Sequence, residues 1–369
     1  MLSFRVADMS ANSSLSRTRT TDEIAAELCR LSPEYATTPL LELPKLAAHL
    51  GIRQILAKDE GRRMLGSFKS LGGTYAGLCA LARVARTDIA GLLDPTRSPI
   101  SLPRLLCASD GNHGLAVAAA ARLANASARV FLHVGVSCSR ARRIEVQGAE
   151  ITWVNGTYDD AVDAAEAAAR NGDGILVADT TDDPTNPLVF DDVIAGYRVI
   201  AAEIRHQVEA SGYQRPTHLF VQAGVGGLAS AMAEGLTGWM APPATLIVTE
   251  PETTACVAMA LAQGAAVRVH GDLVTSAEML ACGKASAPAV EVLRRHRARA
   301  VVVSEVALAQ APCLLRRLGG PGTTPSGAAG LAGLVSVLGD GKVAAGFGLD
   351  AASRVLILIT ERAVEGEGS

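Results

Sequence analysis

Lys69 lies in Gly66–Gly73, GSFKSLGG, shortly after the acidic step Lys58-Asp59-Glu60. A lysine between small residues at the mouth of a helix can reach a carbonyl carbon. Its amine must first shed a proton, which burial or nearby positive charge favours. Asp179, in Val177–Thr181, VADTT, is a candidate base, and Asp110 stands in the loop Ser109–Gly114, SDGNHG. A carboxylate at a strand end can accept a proton from carbon. An Asp there also commonly caps a turn or helix.

Two loops offer anion cradles. Ser109, Gly111, Asn112 and His113 open an Ala-rich helix, whose first N–H groups bind anions such as a carboxylate. Alone, that loop is an ordinary N-cap turn. Gln222–Ala229, QAGVGGLA, also joins a strand to a helix. Gly224, Gly226 and Gly227 let the backbone approach a phosphate, with Val225 and Leu228 completing the loop. No GK[ST] follows, so it is not a Walker loop.

Short β-branched runs must position these loops. Strands are predicted at Arg53–Lys58, Leu105–Ala108, Arg129–Val134, Ile151–Val154, Ile175–Ala178, Leu219–Gln222, Leu246–Thr249, Ala300–Val303 and Arg354–Ile359. Helices are predicted at Phe68–Val84, His113–Leu123, Ser139–Gln147, Tyr158–Arg170, Val193–Val208 and Leu228–Leu236. This alternation argues for an α/β fold with open, mainly parallel sheets. The candidate loops follow predicted strands, where open α/β sheets bind ligands. An amine, a carboxylate cradle and a phosphate cradle together are far more specific than any one of them.

Composition sets the bounds. The chain has 369 residues, 49% of them hydrophobic, and a net charge of −3. No Lys/Arg block suggests nucleic acid. No long uncharged apolar run suggests a membrane span. No Cys/His spacing suggests a metal. The seven Cys do not form a secreted framework, so a reducing cytoplasm is the default. Cys79, Cys107, Cys138 and Cys313 fall in apolar runs and are expected in the core. Residues 1–20 are expected to form a disordered tail.

From Tyr35 to Thr360 the motifs KDE–GSFKSLGG, ASDGNHG, ADT, QAGVGGL and TEP occur in an order that resembles the fold-type II pyridoxal 5′-phosphate (PLP) enzymes. These include threonine and serine dehydratases, cysteine synthase and tryptophan synthase β. Within them the chain is most similar to the diaminopropionate ammonia-lyase group, in which Asp also occupies the Asp110 position. The resemblance implies two domains, a large one from 21–75 and 195–369 and a small one from 76–194. It implies a PLP imine at Lys69, a bond from Asn112 to the cofactor 3′-oxygen, and the phosphate at Gly224–Leu228. Thr360 or Ser326 would face the pyridine nitrogen. Ser109, Asp110, Gly111 and His113 would receive the substrate. Asp110 would serve D isomers and Asp179 L isomers. Cys256 and Cys282 resemble a pair that can form a disulfide. The implied reaction is α,β-elimination from 2,3-diaminopropionate or a relative, giving pyruvate and ammonia in a homodimer. A serine/threonine-type dehydratase, a β-replacement synthase and a non-catalytic PLP-binding regulator are the alternatives. The chain departs from the group at Thr181-Asp182-Asp183, Ala277-Glu278-Met279 and Lys284-Ala285.

Overall fold

The computed structural model describes residues 19–98, 100–180 and 188–363. The expected tail lies outside these residues up to position 18. Thr20 is already structured, as the N-cap of the first helix in a reciprocal capping box with Glu23. The departure at Thr181-Asp182-Asp183 also lies outside the described residues.

The ten strands are β1 (Leu40–Glu42), β2 (Gln54–Asp59), β3 (Leu105–Ala108), β4 (Ala128–His133), β5 (Glu150–Val154), β6 (Ile175–Leu176), β7 (His218–Gln222), β8 (Thr245–Pro251), β9 (Arg299–Val303) and β10 (Arg354–Ile359). They form two sheets. The larger has order β1-β2-β10-β7-β8-β9 and the smaller β5-β4-β3-β6. Every pairing is parallel except β1 with β2. β3 and β7 are buried along their whole length. β10 is buried beyond its first residue. Helices cover both faces of such sheets, so these strands read as continuous apolar runs.

The helices up to the second glycine loop are α1 (Thr21–Leu31), α2 (Pro44–Leu50), α3 (Lys69–Val84), α4 (Ile89–Leu92), α5 (Asn112–Leu123), α6 (Cys138–Val146), α7 (Tyr158–Arg170), α8 (Leu188–Ala210) and α9 (Gly227–Leu236). α10 (Cys256–Gln263), α11 (Ala287–Arg295), α12 (Glu305–Arg317), α13 (Ala329–Leu338) and α14 (Gly341–Phe347) complete the chain. All fifteen predicted elements form, with ends displaced by a few residues. Sequence patterning missed β1, α1, α2, α4 and α10–α14, several of which are short. Among the described residues, no single helix is long and apolar enough to cross a membrane.

α3 carries the chain from the larger sheet to the smaller, and α8 returns it. The two helices cross at glycine. A Cβ on Gly72 would lie 2.4 Å from the Tyr197 ring, and one on Gly196 2.7 Å from Gly72 Cα. A Cβ on Gly73 would meet Ala116 of α5 at 2.7 Å. The glycines after Lys69 therefore serve helix packing, which fixes the helix that bears the lysine.

Candidate active site

One cleft gathers the loops at the C-terminal ends of β3, β7 and β10, together with the residues just after β6. Lys69, Ser109, Asp110, Asn112, His113, Asp179, Gly224–Leu228, Ser326 and Thr360 all line it. The expected site residues from six separated segments thus come together. Gly111 belongs to the same turn, at φ 141°, and N-caps α5.

Lys69 is the first residue of α3. Its Nζ makes a close ion pair with Asp179 Oδ2 and lies 5.5 Å from the centre of the Phe68 ring. Burial alone would favour the neutral amine, but Asp179 reverses this and raises the lysine well above its ordinary range. The expected deprotonation by burial or positive charge is therefore corrected: here the amine is an ammonium paired with a carboxylate. Asp179 shows the converse. Burial would raise it, but Lys69 and hydrogen bonding hold it well below the carboxylate range. The Tyr158 hydroxyl donates to Asp179 Oδ1 at 3.2 Å.

Asp110 is buried, which raises it, and a contact with His133 opposes that shift. His133 Nε2 lies 3.1 Å from Asp110 Oδ1. The Ser109 hydroxyl oxygen accepts from Gly111 N and Gly114 N, both at 2.8 Å. The capping role of SDGNHG is thus realised within the cleft. In the first turn of α5, the Asn112 and His113 N–H groups have no intrahelical acceptor. His113 Nε2 bonds the Val177 carbonyl at 2.8 Å, and burial lowers its pKa. The bond ties α5 to the chain before Asp179.

At the second cradle, Gly226 adopts φ 97°, a left-handed conformation that favours glycine. A Cβ on Gly224 would approach Cys282 Sγ to 3.0 Å. The carbonyls of Gly224 and Val225 accept from Cys256 Sγ at 3.2 Å and Ser286 N at 2.9 Å. The first turn of α9 follows, with N–H groups suited to an anion. Cys256 and Cys282 are both buried beside this loop, but both are free thiols, so the suggested disulfide is not formed. Burial raises both thiols well above their ordinary value. Of the four cysteines expected in the core, Cys107 is buried and Cys79 half-buried, while Cys138 and Cys313 are exposed.

Thr360 and Ser326 share the cleft wall. Thr360 Oγ1 accepts from Gln222 Nε2 at 3.0 Å, and Ser326 Oγ from Met279 N at 3.1 Å. Each hydroxyl keeps its own hydrogen to donate.

Three cleft residues escaped sequence reasoning. Tyr158 begins α7 and reaches Asp179. Glu361 follows Thr360, accepts from Asn112 Nδ2 and Thr324 Oγ1, and was signalled only by an acid directly after the last strand. Tyr197, on α8, packs on Phe68 with ring centres 4.9 Å apart. Glu250 lies elsewhere: its carboxylate accepts from Val257 N and Ala258 N and so caps α10.

Residues 31–361 match the family described as pyridoxal-phosphate dependent enzyme. The chain is 32% identical over 356 residues to diaminopropionate ammonia-lyase of Salmonella typhimurium, covering 89% of this chain and 86% of the relative. A probable D-serine dehydratase of Burkholderia pseudomallei is 28% identical over 307 residues, covering 77% and 67%. The crystal structure of the Escherichia coli diaminopropionate ammonia-lyase in complex with D-serine superposes with a TM-score of 0.83 at 26% identity, covering 94% of this chain and 90% of that one. Because the match runs through both sheets and every loop that lines the cleft, the chain belongs to the pyridoxal-phosphate dependent enzyme family.

Proposed function

We propose that the protein is a PLP-dependent ammonia-lyase acting on 2,3-diaminopropionate or a closely related β-substituted amino acid. The balanced reaction takes one diaminopropionate and one water to pyruvate and two ammonia. The observation that carries this reading is the meeting of Lys69 with two buried carboxylates, Asp110 and Asp179, in one cleft. The relatives' activity and the family's cofactor agree with it.

The cleft fits the cofactor. The left-handed Gly226 and the crowded Gly224 leave a backbone cradle that a side chain would fill. In this reading Gly224–Leu228 hold the phosphate, Lys69 the carbonyl carbon, Asn112 the 3′-oxygen, and Thr360 or Ser326 the pyridine nitrogen. Bound PLP supplies an electron sink for the charge left at Cα. Asp179, kept ionised, accepts the α-proton of an L substrate. Asp110 accepts that of a D substrate, since the two hydrogens leave from opposite faces. The first turn of α5 holds the substrate carboxylate, and the Tyr158 hydroxyl orients Asp179. The same reading takes 21–75 with 195–369 and 76–194 as the two domains, a homodimer as the assembly and the cytoplasm as the location.

The D-serine dehydratase relative favours one second reading, dehydration of serine. Met279, the last residue of the departure at Ala277-Glu278-Met279, and Leu280 line the cleft wall, and in this reading they bear on the choice of leaving group. Pyruvate release from D- and L-diaminopropionate, serine and threonine tests both readings. Diaminopropionate turning over fastest is the expected result. Serine greatly outpacing it transfers the assignment to a dehydratase, and no visible cofactor band in the purified protein overturns both.

A further inference from the structure

His133 ends β4 and is not itself part of the cleft lining. It borders a second cavity, of about 370 Å³, whose wall includes Asp110, His133, Tyr158, Asp272 and Glu278. Asp110 lines both spaces. The ring is fixed at both nitrogens. Gly135 N donates to Nδ1 at 3.2 Å, so Nδ1 is the acceptor and Nε2 carries the hydrogen. That hydrogen points to Asp110 Oδ1, 3.1 Å away. Glycine at 135 is what admits the ring, for a Cβ there would stand 2.8 Å from His133 Cε1 and 3.0 Å from Nδ1.

We propose that His133 is the positioning residue of Asp110: held in its Nε2–H tautomer by the Gly135 N–H, it fixes Oδ1 of the carboxylate and leaves Oδ2 to take the α-proton of D substrates. This rests on the reading that each carboxylate serves one substrate face. The two carboxylates then have different partners. Asp179 pairs with the Lys69 ammonium in the cofactor-free chain. Asp110 has an imidazole N–H donor on Oδ1. The titratable groups facing His133 are Asp110 on the turn after β3, Glu278 on the 278–280 turn, which also pairs with Arg140 at 3.4 Å, and Tyr158 and Asp272 on the cavity wall. The bond to Asp110 raises the imidazole.

His133→Leu, His133→Gln and Gly135→Ala test the proposal in the cofactor-loaded enzyme. Removing the donor in His133→Leu takes a charge-assisted bond from the ionised form of Asp110. The acid limb of kcat/KM for the D isomer should move up by about one pH unit, and the D-to-L activity ratio should fall about tenfold, in kcat rather than KM. The L-isomer limb should stay in place. Gln retains an N–H donor and should restore most of the ratio, while Gly135→Ala, which displaces the ring, should reproduce the loss. Nitrogen-15 NMR of histidine in the full chain gives a readout apart from turnover. His133 should be the Nε2–H tautomer with a raised pKa that drops in Asp110→Asn. Equal changes in both isomers, failure of Gln to rescue, or an Nδ1–H tautomer overturns this inference alone. A wild type that turns over only L isomers overturns the one-carboxylate-per-face reading and this inference with it.

Discussion

Lys58 and Lys69 belong to the same stretch of chain, and both pair with buried carboxylates. Lys58, on β2, donates to the Thr38 carbonyl at 2.8 Å, Glu203 at 2.6 Å and Gln207 at 2.9 Å. All three of its N–H groups are used. Around it Arg63 bonds Glu60, Glu203, the Thr38 hydroxyl and the carbonyls of Tyr35 and Ala36. Lys69, at the mouth of α3, pairs with Asp179 and otherwise faces an aromatic ring and the cleft. The first cluster is saturated and closed, and the second is strongly coupled but open. A buried charge network fully satisfied by its own protein braces structure. One with bonding capacity left, facing a cleft, can do chemistry.

Substitutions should separate the two regions. Lys69→Ala should remove the visible imine absorption of the bound cofactor and bring pyruvate formation below detection. A variant with normal turnover would put chemistry elsewhere. Asp179→Asn should cut L-isomer turnover by roughly 10²- to 10⁴-fold, the range for loss of a general base. Unchanged L-isomer kinetics would remove Asp179 from the mechanism. In the closed cluster, Glu203→Gln should leave turnover per folded molecule near wild type but cost about 3–5 kcal/mol of stability, since a buried ion pair loses one partner. The denaturant midpoint reports it.

The pH dependence of stability should sharpen the contrast further. Burial would raise Glu60, but Arg63, Lys58 and Thr38 outweigh it and hold the carboxyl below its ordinary range. Its folded pKa lies below the unfolded value of about 4.3. The stability it contributes is therefore complete above that pH and is lost as pH falls through the folded value. Urea midpoints should drop less between pH 6 and pH 3 in Glu60→Gln than in wild type. The smallest effect should come from Gly72→Ala. Its Cβ would overlap Tyr197, so a loss of about 1–3 kcal/mol is expected, with a change in turnover because α3 carries Lys69. Stability lost without any change in turnover would mean that helix packing does not position the lysine.

Much of this molecule is legible in its residues. The long apolar runs at β3, β7 and β10 mark strands buried on both faces. The glycines after β7 mark a strand-to-helix loop where the backbone can approach a ligand. Motif order then implied which loops share a cleft. Short elements such as β1 and α2 were not legible, because three to seven residues carry too little periodicity and owe their form to neighbours. Tyr158 and Glu361 were missed for a related reason: neither stands in a motif, and each becomes a site residue only when its helix start or strand end is folded against another segment.

The amino-acid sequence by itself determined the alternation of strand and helix, the two glycine cradles and the identity of the amine and the two acids, because these depend on local propensity and residue chemistry. Only the tertiary structure decided which lysine is available. Lys58 and Lys69 are equal as residues, and their free bonding capacity is set by groups more than a hundred positions away, Glu203 and Gln207 for one and Asp179 for the other. It also decided that His133 meets Asp110. That contact joins the end of β4 to the turn after β3, and only the parallel pairing of those two strands brings them together.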